Sequence, residues 1–353
     1  MAISSCTEVS RTRDSNIELL RCLLMFMIVI VHITGHNIME SANPVQLGEK
    51  NWWWANILES LSEPAVNCFV LISGYYTIKL SFKKIAVFLL PILFYEVFLS
   101  LLQYRYYHEI SITPFHYWFV RIYFGLMLLS PLLNISLKYI SKNQLVTIIS
   151  LLLLFYSVFS IPPLWCLSGN DGKNLLIFIM LYMIGYYIRY YYKKKYSSGI
   201  YFLTYILLCV VLNLETYLLA RIGRYAGSAT LSYNYDNILV ILMAVSLFLF
   251  FSQLQIKSRF VNYVARSSFF VYIISENDYV WPHPYGLYDL LDVQTWNETS
   301  VYPLLVIGAA LSIFSVCIIV DKLRLLLFGK LEQKIGSFLE RYLGKQFSNL
   351  SHI

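Results

Sequence analysis

The sequence predicts an all-α integral membrane protein, a bundle of about ten transmembrane helices with both termini cytoplasmic and an amphipathic C-terminal helix. Composition gives the first reason, because 58% of the 353 residues are hydrophobic and 13% are charged. Soluble domains carry about 25% charged residues. A soluble chain of this size could not bury so much apolar surface in one core, so the bilayer must be the solvent for most of it.

The lengths of the apolar runs give the second reason. A helix that crosses the hydrocarbon core of a bilayer needs about 20 consecutive apolar residues. Runs of this kind begin near Leu19, Ala55, Ile85, Tyr117, Leu145, Leu175, Tyr201, Ile238, Ser267 and Val301. The fifth run is short, and the ninth is interrupted by the polar segment Ser275–Asp278. Each run predicts one span.

The basic residues between the runs give the third reason. With the N-terminus inside, the predicted outer segments hold six of the 27 Lys and Arg residues, namely Lys50, Arg105, Arg121, Lys173, Arg221 and Arg224. The others fall in segments predicted to be cytoplasmic, as the positive-inside rule requires. This clustering explains the net charge of +7 better than a nucleic-acid partner would, so no nucleic acid is expected.

These patterns divide the chain into a cytoplasmic N-terminal segment 1–18, a membrane domain 19–320 and a cytoplasmic tail 321–353. The tail places apolar residues at helical spacing with basic residues between them. It is therefore predicted to be an amphipathic helix that lies on the cytoplasmic membrane surface and binds its lipids. The outer loops are rich in Trp and Tyr, as in EKNWWWAN. They fit an aromatic belt at the headgroup level, a sugar-binding mouth, or both.

The first run carries two ionisable side chains, which are costly inside a span and are therefore candidate functional residues. Arg21 and His32 lie eleven residues apart. At about 100° per residue, this spacing returns to within about 20° of the starting direction with a rise of about 16 Å. Both side chains thus face one side of the helix, with Arg21 at the cytoplasmic mouth and His32 deep in the span. His36 follows one turn later, nearer the outer side.

Three roles for His32 are consistent with this placement. The first is a structural histidine, hydrogen-bonded inside the bundle. The second is a metal pair with His36, which has the i, i+4 spacing. In the third, Arg21 holds an anionic cofactor and His32 moves a proton. The six cysteines have no metal-type spacing, and Glu40 falls where the outer loop begins, so no metal site is expected.

Five segments, in order along the chain, resemble motifs of the acyltransferase 3 family of membrane-bound acyltransferases. ELLRCLLMFMIVIVHI resembles the family's opening motif of an Arg, ten residues and a His, here Arg21 and His32. NCFVLISGYYTIKLSFKK resembles its Phe-x-x-x-Ser-Gly-Tyr stretch, here with Phe69, Ser73 and Gly74. FHYWFVRIYFGLMLLSPLLN resembles its Tyr-Trp-Phe segment. MLYMIGYYIRYYYKKK and SSFFVYIISENDYVWP resemble the sixth and ninth helices of its polysaccharide-modifying branch.

The resemblance implies an O-acyltransferase of the bacterial inner membrane. Such an enzyme takes an acyl group, usually acetyl, from cytoplasmic acyl-CoA and places it on a hydroxyl of a surface polysaccharide, lipopolysaccharide or related envelope glycan. By match to the motif, Arg21 and His32 are the expected essential residues, with Arg21 on the donor and His32 as general base. Ser73, Lys83 and Lys84 are expected to complete the donor site. The family has paired arginines where this chain has the two lysines, which lack the bidentate fork.

The ninth helix departs from the family pattern, because many relatives have a histidine where this chain has Ser275. The next residue, Glu276, is a candidate for orienting His32 or binding the acceptor, as carboxylates orient histidines elsewhere. A helix-packing or pore-lining role is the alternative for Glu276.

Four further residues are candidates for binding the acceptor: Trp118, Tyr123, Asn277 and His36. As aromatics near the membrane interface, Trp118 and Tyr123 need no such role.

Two other function classes stay open. A transporter or flippase for a glycan or its lipid-linked precursor would share the helix count and the aromatic outer loops. Such proteins are expected to have inverted repeats and matched broken half-helices, which this sequence does not display. A catalytically silent relative of the family is the other alternative, because of Ser275.

Overall fold

The computed structural model describes residues 14–35, 47–108, 113–158, 170–222, 232–278 and 299–348, with the single residues 280, 287, 291, 295 and 296. These residues form eleven α-helices and no strand. In chain order the helices are α1 (Ser15–Thr34), α2 (Trp52–Ser62), α3 (Ala65–Tyr76), α4 (Phe82–Tyr107), α5 (Trp118–Tyr139), α6 (Lys142–Leu153), α7 (Leu175–Tyr190), α8 (Ser198–Ile222), α9 (Ile238–Gln253), α10 (Arg259–Ser275) and α11 (Tyr302–Ser348).

Five helices, α1, α4, α5, α8 and α11, are long and apolar enough to cross a membrane. The shorter helices α7, α9 and α6 with its π-helical end are also apolar. Each predicted run coincides with one helix, apart from the second, which contains both α2 and α3. The all-helical prediction is confirmed for the described residues, and the ten predicted spans fit the helices observed.

Polar side chains at the helix starts explain where several helices begin. Ser81, Asn174, Asn237 and Ser258 each accept a hydrogen bond from a backbone N–H in the first turn of the following helix. Ser141 forms a full capping box at the start of α6. Such caps satisfy N–H groups that have no partner within the helix.

A proline breaks the second predicted run in its middle. α2 ends at Ser62 and α3 begins at Ala65, with Pro64 at the junction. Proline has no N–H to donate and its ring clashes with the preceding turn, so the helical ladder is interrupted here. The hydroxyl of Tyr205 in α8 donates to the carbonyl of Leu61 beside the break. The break therefore lies inside the bundle with a polar partner from another helix.

The last helix continues through the predicted tail without a boundary at Val320, since α11 runs from Tyr302 to Ser348. It lies antiparallel to α4 well beyond that point, because the backbone N–H of Lys83 donates to Glu340 at 2.9 Å. Up to Ser348 the tail is thus helical, and it continues the helix of the tenth predicted run instead of forming the separate helix that the sequence predicts.

A buried ionic network holds α11 near this junction. The Arg324 Nε donates to Asp321 Oδ1 at 2.7 Å, and the hydroxyl of Tyr95 in α4 donates to the same oxygen at 2.9 Å. Glu332 accepts a second hydrogen bond from Arg324. The guanidinium also lies 4.8 Å from the ring centroid of Phe270 in α10. These contacts join α11 to two neighbouring helices.

Two glycines let α3 and α7 pack backbone to backbone. A Cβ at Gly74 would lie 2.1 Å from the carbonyl oxygen of Tyr182, and one at Gly185 would lie 2.3 Å from that of Leu71. Both distances are far inside van der Waals contact, so only glycine fits. Small residues allow this close approach in membrane bundles. The crossing sets the position of Ser73, which precedes Gly74.

We expect Gly185→Ala to destabilise the protein by about 1–3 kcal/mol or more, because the added methyl group meets a backbone carbonyl that cannot move alone. The matched control is Gly308→Ala, since nothing lies within 4 Å of a Cβ at that position. The measurement is the midpoint of thermal unfolding of the purified protein, with size-exclusion chromatography to detect the folded fraction that remains after heating. Equal midpoints for the two variants would contradict the close packing.

Candidate active site

His32 and Glu276 form a buried pair between α1 and the end of α10. The His32 Nδ1 lies 3.2 Å from Glu276 Oε1, and the two side chains are 12% and 9% exposed. The ring of Tyr272, one turn before Glu276, stacks on the imidazole with ring centroids 5.8 Å apart. The structure therefore brings together the predicted base and the predicted orienting carboxylate.

This arrangement defines how His32 could exchange a proton. The contact between Nδ1 and Oε1 is an ion-pair distance without hydrogen-bond geometry. A carboxylate this close to Nδ1 stabilises the imidazolium that forms when the ring gains a proton. Because Glu276 lies on the Nδ1 side of the ring, proton exchange with a substrate would go through Nε2. Within the described ranges, no group of three or more His, Cys, Asp or Glu side chains could hold a metal ion.

A small cavity of about 30 Å³ borders His32. Its polar lining consists of His32, Ser62, Glu63, Trp118, Tyr235 and Tyr272. Its apolar lining includes Met25, Ile28, Phe69, Phe119 and Phe269. This volume has room for about two water molecules. A ligand larger than this therefore requires the aromatic side chains to move.

Arg21 lies at the other end of α1. Its Nη1 donates to Glu18 Oε1 at 3.0 Å, and its side chain is 34% exposed. Ser73 Oγ lies 3.0 Å from the hydroxyl of Tyr123 in α5, which also interacts electrostatically with Arg21. Ser73, predicted for the donor, and Tyr123, predicted for the acceptor, are thus direct neighbours on the Arg21 side of the bundle.

Lys83 and Lys84 are exposed at the start of α4. Lys83 lies against the long helix α11, where it contacts both Gly336 and Glu340. The surface at Lys83 is therefore shared with the C-terminal tail.

Trp118 lines the cavity beside His32. Its ring stacks on Tyr235, with centroids 5.2 Å apart, and the ammonium of Lys173 lies 5.7 Å from the Trp118 ring centroid. These two neighbours hold the indole in place at the cavity wall.

Asn277 bridges helices rather than facing the cavity. Its Nδ2 donates to Glu96 Oε1 at 2.9 Å and to the hydroxyl of Tyr117 at 2.8 Å. His116 completes this group, with Nδ1 3.7 Å from Glu96 and Nε2 3.6 Å from Asp278. The network gives the buried Glu96 its polar partners. His36, the remaining predicted residue, lies outside the described residues.

Sequence reasoning missed Glu63, which lines the cavity with His32. It also missed Glu59, whose carboxylate accepts a hydrogen bond from Thr34 in α1. The signal was present, since two acidic residues one turn apart precede a proline inside an apolar run. Ionisable groups within a span are functional candidates by default.

The comparison with protein families gives one match. A family model described as an acyltransferase domain matches residues 14–322, from α1 to the early part of α11. No curated protein and no solved structure is significantly similar to the chain.

We expect Asn277→Leu to lower the stability of the protein by about 1–3 kcal/mol, because it leaves the buried Glu96 carboxylate without its amide donor. Tyr117→Phe, which leaves the Asn277–Glu96 hydrogen bond in place, should cost less. Thermal unfolding of the purified variants measures both effects. A stable Asn277→Leu protein with unchanged unfolding would contradict the bridging role.

Proposed function

The chain belongs to the acyltransferase 3 family of membrane-bound acyltransferases, and on this premise we propose that it is an O-acyltransferase. It moves an acyl group, most simply acetyl, from cytoplasmic acyl-CoA to a sugar hydroxyl of a cell-surface polysaccharide, exopolysaccharide or lipid-linked glycan. It does so in the inner membrane of a bacterium, with both termini in the cytoplasm. The observation that carries the proposal is the His32–Glu276 pair at a cavity between the helices.

The chemistry follows from that pair. His32 accepts the proton of the sugar hydroxyl as the hydroxyl oxygen attacks the thioester carbon. Glu276 stabilises the positive charge that forms on the imidazole. The tetrahedral intermediate then collapses, the carbon–sulfur bond breaks, and the leaving thiolate of CoA takes the proton from His32. The products are the sugar ester and CoA, and His32 returns to its neutral form.

The donor end of the proposed site is supported by charge. CoA carries phosphate groups, which arginine binds through paired hydrogen bonds. Arg21 is one-third exposed beside Ser73 and Tyr123, and lies about 16 Å along α1 from His32 by the helical rise. Lys83 and Lys84 would add positive charge at the cytoplasmic rim.

The apolar walls between the two ends suit a thioester. Phe69, Phe119 and Phe269 line the cavity at His32 and keep it too narrow for bulk water. Exclusion of water protects the thioester from hydrolysis and strengthens the electrostatic effect of Glu276.

We expect His32→Ala to lower the rate of acyl transfer by about 10²–10⁴-fold, the usual contribution of a general base. Glu276→Gln should lower the rate less, because the amide can still hold the ring but not stabilise its charge. The assay follows label from acetyl-CoA into the envelope glycan in membranes that contain each variant. Elution on size-exclusion chromatography verifies folding.

An undiminished rate of acyl transfer by the His32→Ala variant would contradict the general-base assignment. Glycan movement across membranes without any label transfer would favour the transporter alternative instead.

For Arg21→Ala we expect the KM for acyl-CoA to rise by about tenfold or more at similar turnover, since a charged hydrogen bond to phosphate is lost. Lys83→Ala should raise this KM much less, because Lys83 adds only positive charge at the rim, on the surface shared with the tail. A drop in turnover at unchanged KM would instead place Arg21 at the reacting groups.

A further inference from the structure

Glu63 has a position that the proposed mechanism does not use. It lies between α2 and α3, next to Pro64, and lines the same cavity as His32. The residue is 5% exposed. Its side chain makes no hydrogen bond and no salt bridge with the residues that the structure describes. A buried carboxyl group without such partners is costly, so a ligand that forms hydrogen bonds with it gains binding energy.

The helix break determines where the Glu63 side chain leaves the backbone. Glu63 follows the last turn of α2, and Pro64 separates it from Ala65, the first residue of α3. Its side chain therefore starts between two helices, beside the cavity that it lines.

The other groups near Glu63 are typical of a binding site for hydroxyl groups. Its electrostatic neighbours are Glu59 and Lys173, and Lys173 also lies over the ring of Trp118. Trp118 and Tyr235 line the cavity with it. Carboxylate oxygens accept from hydroxyl donors, and aromatic walls pack against the apolar edges of a sugar.

We propose that Glu63 binds the acceptor, by accepting a hydrogen bond from a sugar hydroxyl and so presenting the acceptor to His32. This inference rests on the proposed acyl transfer. In this arrangement, Glu63 selects acceptors that carry hydroxyl groups, whereas His32 performs the proton transfer.

The test compares Glu63→Gln with Glu59→Gln in purified protein in lipid nanodiscs. Glu59 is the matched control because it is one turn away, equally buried, and bonded to Thr34 through an oxygen that glutamine retains. The donor is acetyl-CoA and the probe acceptor is n-octyl β-D-glucoside. Release of the CoA thiol is measured in the presence of the probe, where it reports acyl transfer. The same measurement without the probe reports acceptor-free hydrolysis of acetyl-CoA.

We expect Glu63→Gln to raise the KM for octyl glucoside by about tenfold or more, because an amide cannot form the same set of hydrogen bonds with a hydroxyl group as a carboxyl group does. The KM for acetyl-CoA and the acceptor-free hydrolysis should stay within about twofold of wild type. Glu59→Gln, which removes only a neighbouring charge, should change the KM for octyl glucoside much less than Glu63→Gln does. Equal effects of the two variants, or a changed KM for acetyl-CoA, would overturn the assignment.

A binding measurement separates this proposal from the proposed function. Wild-type protein that neither hydrolyses acetyl-CoA nor acetylates the probe would count against acyl transfer. Infrared difference spectra then decide on Glu63. Binding of octyl glucoside should change a carboxyl band in the spectra of the wild type and of Glu59→Gln. This change should be missing in Glu63→Gln. No such change in wild type would overturn the binding role.

Discussion

The pairing of His32 with Glu276 is the interaction on which the candidate site depends. Either group alone would be costly to bury among apolar helices, and each makes the other tolerable. One residue belongs to α1 and the other follows α10, so their 3.2 Å contact also fixes how these two helices meet. The stacked ring of Tyr272 holds the imidazole on one side. Of the pair, His32 lines the cavity.

Local sequence patterns predicted much of this arrangement. Helical periodicity alone put Arg21 and His32 on one face of α1, and run lengths predicted helices that the structure contains. The family resemblance also indicated Glu276, because this residue follows Ser275, where many relatives have a histidine. The pair itself required the fold, since the two residues are 244 positions apart in the chain and no local rule relates them.

The features that sequence reasoning missed share one cause. The sequence marks Glu63 as an ionisable group inside an apolar run, but only the packing around the Pro64 break shows that it lines the cavity with His32. Likewise, the amide of Asn277 could bind substrate or tie helices together, and only the positions of Glu96 and Tyr117 decide between them. Composition and spacing describe one element at a time, whereas these roles arise between elements.

The unbroken helix α11 has a consequence for how a nucleotide would reach the site. At about 1.5 Å per residue, its 47 residues extend about 70 Å, more than twice the thickness of a bilayer core. It runs past Lys83 on α4, and its Lys322 lies within electrostatic range of Cys22, the neighbour of Arg21. α11 therefore extends along the side of the bundle that carries Lys83 and Cys22. In the proposed reaction, the acyl-CoA donor would approach Arg21 with this long helix on one side.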